Sequence, residues 1–403
     1  MSALVFRNAR LFTGSEVVER GWVVVEDGRV TGLGPGSPPG SPLGSPAGGA
    51  EVDLDGDWLA PGFVDVHVHG GGGGDFMSPD PECRRIAREL HLRHGTTALL
   101  ASTVSTPADV LLAAVDRLAE DAGTQAHDGR AARLLGIHLE GPFLSHRRRG
   151  AHDESFIRDP DPAELARLVE HGRGWVRTLT LAPELPGGTD LVRAARAAGV
   201  VVALGHTDAG ADQVRTAVEA GVSAVTHTFN GMRPLHHREP GAVGMAMDLD
   251  ALTCELILDR VHVDPVAARA LVHAAGPARV CLVTDAMAAA GMADGRYELG
   301  GAVVDVADRR VLVPGTDTLA GSTLTMDEAV RHAVSTLRLD VPTAVSMATS
   351  VPARLLGRDD VGHLRPGGPA DLVRLDGDGR LLGVWAEGLD VPPHDRSPTA
   401  GGD

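Results

Sequence analysis

Residues 61–70 read PGFVDVHVHG. The run is apolar and strand-like, and it ends on two histidines spaced i and i+2. On a strand those positions share a face, so His67 and His69 point the same way. Five glycines follow, Gly70 to Gly74, leaving open backbone beside the two imidazoles. Paired imidazoles at a strand end, next to a loop almost without side chains, suit a divalent metal. A histidine pair hydrogen-bonded inside a core would read the same way, so the rest of the chain has to decide.

Outward from that stretch, apolar runs alternate with amphipathic ones. The apolar runs are PGFVDV (61–66), TALLAS (97–102), LLGIHLE (134–140), RTLTLAPE (177–184), VVALGH (201–206), SAVTH (223–227), CELILD (254–259) and RVCLVTD (279–285). Between them lie helical patterns such as PECRRIARELHLRHG, DPAELARLVEHG and DPVAARALVHAAG. Several open on Asp or Pro and close on Gly, as helix caps do. Eight strands, each followed by a helix or loop, predict a (β/α)8 TIM barrel over 59–358. The unit at 228–253 is the weakest, because no helix is obvious there.

The flanks read differently. Residues 1–33 hold short strands, with Asp27-Gly28 as a hairpin signal. Residues 34–50 are a Pro/Gly/Ser-rich stretch expected to be a flexible surface insertion. Residues 286–321 are a Gly- and Asp-rich excursion with strand-like AVVDVADRRVLV, followed by helical MDEAVRHAVSTL and PTAVSMATSVPARLLG. The tail returns to hairpin patterning, so 1–58 and 359–403 are expected to form one small β-sandwich domain.

The charge balance excludes some partners. A net charge of −17 argues against nucleic acid and anionic membrane. An anionic substrate would need a local positive pocket. Cys83, Cys254 and Cys281 are odd in number and far apart, as suits a reducing compartment rather than a disulfide framework. The N-terminus lacks a leader pattern and no apolar run approaches 18 residues, so the expected location is cytoplasmic. No lysine occurs; all 37 basic residues are arginine.

In such a barrel the active site lies at the C-terminal ends of the strands. His67 and His69 fall after strand 1, Glu140 closes strand 3, His206 strand 5, His227 strand 6 and Asp285 strand 8. Singly, each has a dull explanation as a cap or strand-end polar residue; six at one mouth point to a metal site. His91, His94, His171, His273 and His332 fall on helical segments and are expected to be solvated. His127, His236, His237 and His363 lie in polar or loop contexts. His138 is expected to pack, although it precedes Glu140 by two.

With those residues placed, the chain resembles the amidohydrolase superfamily. Within it, HLEGPF (138–143), GAH (150–152), GHTDA (205–209), THTFNGM (226–232), REPG (238–241), LVTDA (282–286) and LAGS (319–322) resemble the N-acetylglucosamine-6-phosphate deacetylase family. Many binuclear members of the superfamily bridge their metals with a carboxylated lysine. That is impossible here, and the resemblance gives the task to Glu140. Some members lack the HxH pair and hold a single metal. With His67 and His69 both present, the resemblance implies capacity for two, so one or two per subunit: one held by His67, His69, Glu140 and Asp285, the other by Glu140, His206 and His227. Mixed N/O ligands suit Zn²⁺ or Fe²⁺.

The resemblance also implies a reaction. The acetamide of N-acetyl-D-glucosamine 6-phosphate would be hydrolysed to D-glucosamine 6-phosphate and acetate, as in amino-sugar catabolism and cell-wall recycling. Asp285 would serve as base and then acid, with His152 polarising the carbonyl. Arg238, Asn230, Gly231 and His262 match the family's phosphate contacts. Ala151, His152, Leu319, Ala320 and Gly321 match its sugar contacts. Arg147, Arg148 and Arg149 read as a solvated basic run. A homodimer is usual in the family, with Arg238 acting either in its own cavity or across the interface. The alternatives are an N-acetylgalactosamine-6-phosphate deacetylase, another amidohydrolase, or a non-catalytic relative using the barrel as a scaffold.

Overall fold

The computed structural model describes residues 3–38, 50–126 and 128–392. His127 and residues 39–49, most of the expected insertion, lie outside the described residues, as does the chain after 392. Eight parallel strands form one sheet: β1 (Phe63–Val68), β2 (Thr96–Thr103), β3 (Arg133–Glu140), β4 (Val176–Leu181), β5 (Val201–Leu204), β6 (Val222–Val225), β7 (Thr253–Ile257) and β8 (Val280–Val283). Their spatial order follows the chain. Each of the eight apolar runs is therefore a strand of the expected barrel.

The last gap, between β8 and β1, closes without a regular ladder. The Asp285 N–H donates to His67 C=O (2.9 Å), and the His69 N–H donates to Ala286 C=O (2.8 Å). Asp65, fully buried on β1, accepts from the His67 N–H, the Thr284 N–H and the Thr284 hydroxyl. Burial pushes its carboxyl up to about 7 despite these bonds. The barrel is thus stitched shut by the stretch from which its reading began.

The helices packed outside are α1 (Pro81–Arg93), α2 (Ala108–Thr124), α3 (Pro162–His171), α4 (Gly188–Ala197), α5 (Ala211–Ala220), α6 (Gly241–Asp248), α7 (Pro265–Ala275) and α8 (Met326–Ser335). Three start on an Asp-Pro step, where the aspartate accepts a main-chain N–H and proline occupies the first turn. α6 fills the unit where no helix was legible. Its sequence, GAVGMAMD, is buried along most of its length, so no polar face marks the period. PTAVSMATSVPARLLG divides into α9 (Val341–Met347) and α10 (Ser350–Leu355), because Thr349 leaves the helical region at φ −135°, ψ −82°.

The two ends of the chain share a second sheet. Trp58–Pro61 pairs with Leu4–Phe12 on one side and with Leu372–Leu375 on the other. Asp27 (φ 49°) and Gly28 (φ 75°) make the expected tight turn between Val17–Glu26 and Arg29–Pro35. The sheet curls onto itself: the rings of Phe6 and Trp385 meet at 4.8 Å although two strands lie between theirs. Around them Leu11, Val23, Leu59 and Leu372 form a separate core.

Three expectations about histidines are corrected. His91, His94 and His332 are buried, not solvated. His91 Nε2 bonds Gly70 C=O, His94 pairs with Asp327, and His332 Nδ1 donates to Leu258 C=O. The glycine run is not open backbone either. A Cβ on Gly70 would lie 2.2 Å from Gly74 O, and one on Gly74 2.1 Å from Cys83 O. These glycines permit close backbone contact with α1.

Replacing Trp385 by Ala removes the ring that closes the terminal core. The expected cost is about 3–5 kcal/mol, seen as a lower denaturation midpoint. An unchanged midpoint would mean that the curled sheet contributes nothing.

Candidate metal centre and pocket

The strand ends bring together all six side chains expected at the mouth. Four imidazoles and two carboxylates, all buried, form one cluster. His67 Nε2 lies 3.2 Å from His69 Nε2, and Asp285 Oδ1 lies 3.4 and 3.2 Å from these two nitrogens. His206 Nε2 and His227 Nε2 are 3.0 Å apart. Glu140 stands between the two pairs. Its Oε2 is 3.2 Å from His69 Nε2, and its Oε1 is 3.1 Å from both His206 Nε2 and His227 Nε2.

Backbone geometry aims three of these groups. His206 (φ 45°), His227 (φ 28°) and Asp285 (φ 50°) each take the left-handed region two residues past a strand end, where a side chain is disfavoured. The turn throws each side chain inward across the mouth.

The donor set fits a metal. His206 Nδ1 faces the Arg148 carbonyl at 2.9 Å, and a carbonyl only accepts, so Nδ1 carries a proton. His67 Nδ1 faces Glu255 Oε2 at 3.0 Å in the same sense. In the neutral ring both Nε2 atoms then present lone pairs to carboxylate oxygens, an arrangement that calls for a cation between them. Donor separations of 3.0–3.6 Å match the edges of a tetrahedron with bonds of about 2.0–2.1 Å.

Two groupings satisfy simple proximity: His67 with His69 and Asp285, and Glu140 with His152 and His206. His227 suits the second better than His152 does. The Ser105 N–H donates to His152 Nδ1 (3.2 Å), so neutral His152 carries its proton on Nε2 and has no lone pair to offer there. Burial holds the His152 ring below its ordinary pKa, which keeps it neutral. It is therefore a hydrogen-bond donor facing the cavity, as its expected role requires.

Charge is balanced tightly. Burial alone would raise Glu140, but His67, His152, His206 and His227 hold its carboxyl well below the usual range. Burial opposes protonation of His69, yet Asp285 and Glu140 raise it to about 9.

The cluster floors a cavity of about 620 Å³. Ala151, His152, Asn230, Gly231, His262, Leu319, Ala320 and Gly321 all line it, as expected. His262 Nδ1 is tied to Asp259 Oδ2 at 2.7 Å, leaving Nε2 as the ring's remaining donor. Burial works against the charge on His262, but Asp259 raises its pKa. The excursion after β8 folds as a three-stranded sheet, Gly295–Leu299, Ala302–Ala307 and Arg310–Leu312, whose first hairpin, Leu299 to Val304, lines the same cavity.

Arg238 lies elsewhere. It does not line the cavity of its own chain but sits exposed in a smaller one with Arg233 and Gly210. It bonds His237 rather than Glu239, and His236 and Glu239 are bridged across the same turn. Arg148 differs too. It is partly buried, braced on Asp208 at 2.9 Å, and its carbonyl orients His206. His138 packs as expected, between Ser102 and Thr180.

Glu255, Asp259 and Ser105 were not anticipated. The first had a signal in CELILD: a carboxylate inside an otherwise apolar strand needs a buried partner.

The chain matches the amidohydrolase family over residues 58–392. It is 38% identical over 338 residues to an N-acetylgalactosamine-6-phosphate deacetylase of Escherichia coli, covering 84% of this chain and 88% of that one. With an N-acetylglucosamine-6-phosphate deacetylase of Bacillus subtilis it shares 34% identity, covering 94% and 95%. A structure of N-acetyl-D-glucosamine-6-phosphate deacetylase from Mycobacterium smegmatis, a mutant in complex with N-acetyl-D-glucosamine-6-phosphate, superposes with a TM-score of 0.90. It is 40% identical, and 97% of this chain and 100% of that one are covered.

Without metal, His69 is protonated below about pH 9, and a ligand must be neutral. Zinc addition to metal-free protein at pH 7.5 (roughly neutral) should therefore release protons, with affinity rising toward pH 9. A weakly buffered titration showing no proton release would contradict the raised pKa.

Proposed function

The chain belongs to the amidohydrolase family, a metal-dependent family, and on that premise we propose that it removes acetate from N-acetyl-D-glucosamine 6-phosphate. The product is D-glucosamine 6-phosphate. The observation that carries this reading is the single cavity that joins the His/Glu/Asp cluster to Asn230 and His262. One end suits amide hydrolysis and the other an anion. No helix among the described residues is long and apolar enough to cross a membrane.

His67, His69, Glu140 and Asp285 would hold one ion, and Glu140, His206 and His227 a second, with Zn²⁺ or Fe²⁺ suiting the mixed donors. When bound, such an ion supplies Lewis acidity, lowering the pKa of a water to about 7 and polarising a carbonyl. Asp285 takes the proton of the attacking water on its carboxylate and returns it to the sugar nitrogen, so the poor leaving group departs as an amine. His152 donates a hydrogen bond from its Nε2–H to the acetyl oxygen as negative charge develops there, and keeps its proton throughout. Asn230, the Gly231 main chain and His262 receive the phosphate, while Ala151 and Leu319 to Gly321 flank the sugar.

Arg238 is exposed and outside its own chain's cavity. This supports a homodimer in which Arg238 reaches the phosphate in the neighbouring protomer.

Acetate release from N-acetylglucosamine 6-phosphate is the primary test, with the unphosphorylated sugar and the galactose epimer run beside it. Preference for the epimer would reassign the substrate; hydrolysis of neither would remove the reading. Asp285→Asn and His152→Phe should each lower kcat by about 10²–10³. A variant keeping a tenth of normal turnover would lose its assigned role. Arg238→Gln should raise KM by about 10- to 100-fold with kcat nearly unchanged. An unchanged KM would remove it from phosphate binding.

A further inference from the structure

Glu255 is a buried carboxylate on β7 that does not line the cavity. No substrate can touch it, yet its side chain is committed. Oε2 faces His67 Nδ1 at 3.0 Å and accepts the His227 N–H at 3.1 Å. The main chain of the same residue adds a third tie, since the Thr228 N–H donates to Glu255 C=O at 2.9 Å. One carboxylate oxygen therefore joins a donor from each half of the cluster: the imidazole of His67 and the backbone of His227, held at φ 28°.

Each tie has a physical consequence. An ionised carboxylate only accepts, so it fixes His67 with its proton on Nδ1 and its lone pair on Nε2. It also raises the basicity of that ring, as outer carboxylates do for metal-ligating histidines. The bond to His227 N–H holds a disfavoured backbone conformation that would otherwise relax and swing Nε2 away from Glu140. A carboxylate this buried would not persist without such partners.

We propose that Glu255 is a positioning residue that sets His67 and His227 together and so couples the two halves of the metal centre. The inference rests on reading the cluster as a metal centre, and its test separates the two. Full-length, zinc-loaded protein is challenged with rising chelator, and the zinc retained per chain is measured for wild type, Glu255→Gln and Glu255→Leu. Thermal melting is recorded for each.

Glutamine keeps an acceptor oxygen but loses the charge, so its ion nearest His67 should leave at about tenfold lower chelator. Leucine loses both bonds, and the displacement should reach about 100-fold. A residue that only fills space would shift the melting temperature and leave the chelator curve in place. Curves for both variants that coincide with wild type overturn the proposal. If the leucine variant does not fold, the glutamine curve decides alone, a tenfold displacement supporting the proposal and coincidence overturning it. Should wild type carry a single zinc, the two-ion reading fails on that curve by itself. Glu255 is then judged by whether that one ion leaves earlier in the variants. Wild type retaining no zinc would remove both.

Discussion

The structure turns on Glu140. A carboxylate buried at the floor of a barrel is costly unless its charge is answered, and here five histidine rings surround it. They come from the ends of three different strands and from the loop that carries His152. None of them can move far without leaving charge unbalanced, so the mouth of the barrel is a single electrostatic unit. Its Oε1 faces His67, His206 and His227, and its Oε2 faces His69 and His152, so one carboxylate touches both halves of the cluster. With no lysine in the chain, the proposed bridge would be encoded directly and would require no later modification of a side chain.

Around that unit the fold divides its labour. The seam between β8 and β1 is held by Asp65 and Thr284 immediately below His67 and Asp285, so closure of the barrel and placement of two donors are one event. Above, the small three-stranded sheet supplies apolar wall from Leu299 to Val304. A polar floor under an apolar wall lowers the effective dielectric and strengthens interactions at the reacting end. The terminal sheet takes no part in the cavity. It ties the chain ends together through Trp58–Pro61, the strand that leads directly into β1.

Much of this was legible because barrel strands and amphipathic helices declare themselves locally. Apolar runs ending in His, Glu or Asp gave both the fold and the six donors. The rest depends on partners set by tertiary structure. Thr284 lies far along the chain from Asp65, and nothing near Glu255 in sequence announces His67. Some signals were present but read too simply. His91 follows Ala87 by four and Leu90 by one, on the buried stripe of α1, so its helix argued for burial rather than solvation. Arg238 is the opposite case: its REPG motif is plain in the sequence, but the fold leaves the side chain exposed and outside the lining of its own chain's main cavity.

His206, His227 and Asp285 sit on backbone that only glycine would adopt without cost. Evolution toward robustness alone would discard these imidazoles and this carboxylate for a smaller residue, and the barrel would become sturdier as it fell silent. Directed-evolution campaigns that screen on heat resistance without turnover would drift toward those same three codons. The positions where the polypeptide is least comfortable mark out its chemistry.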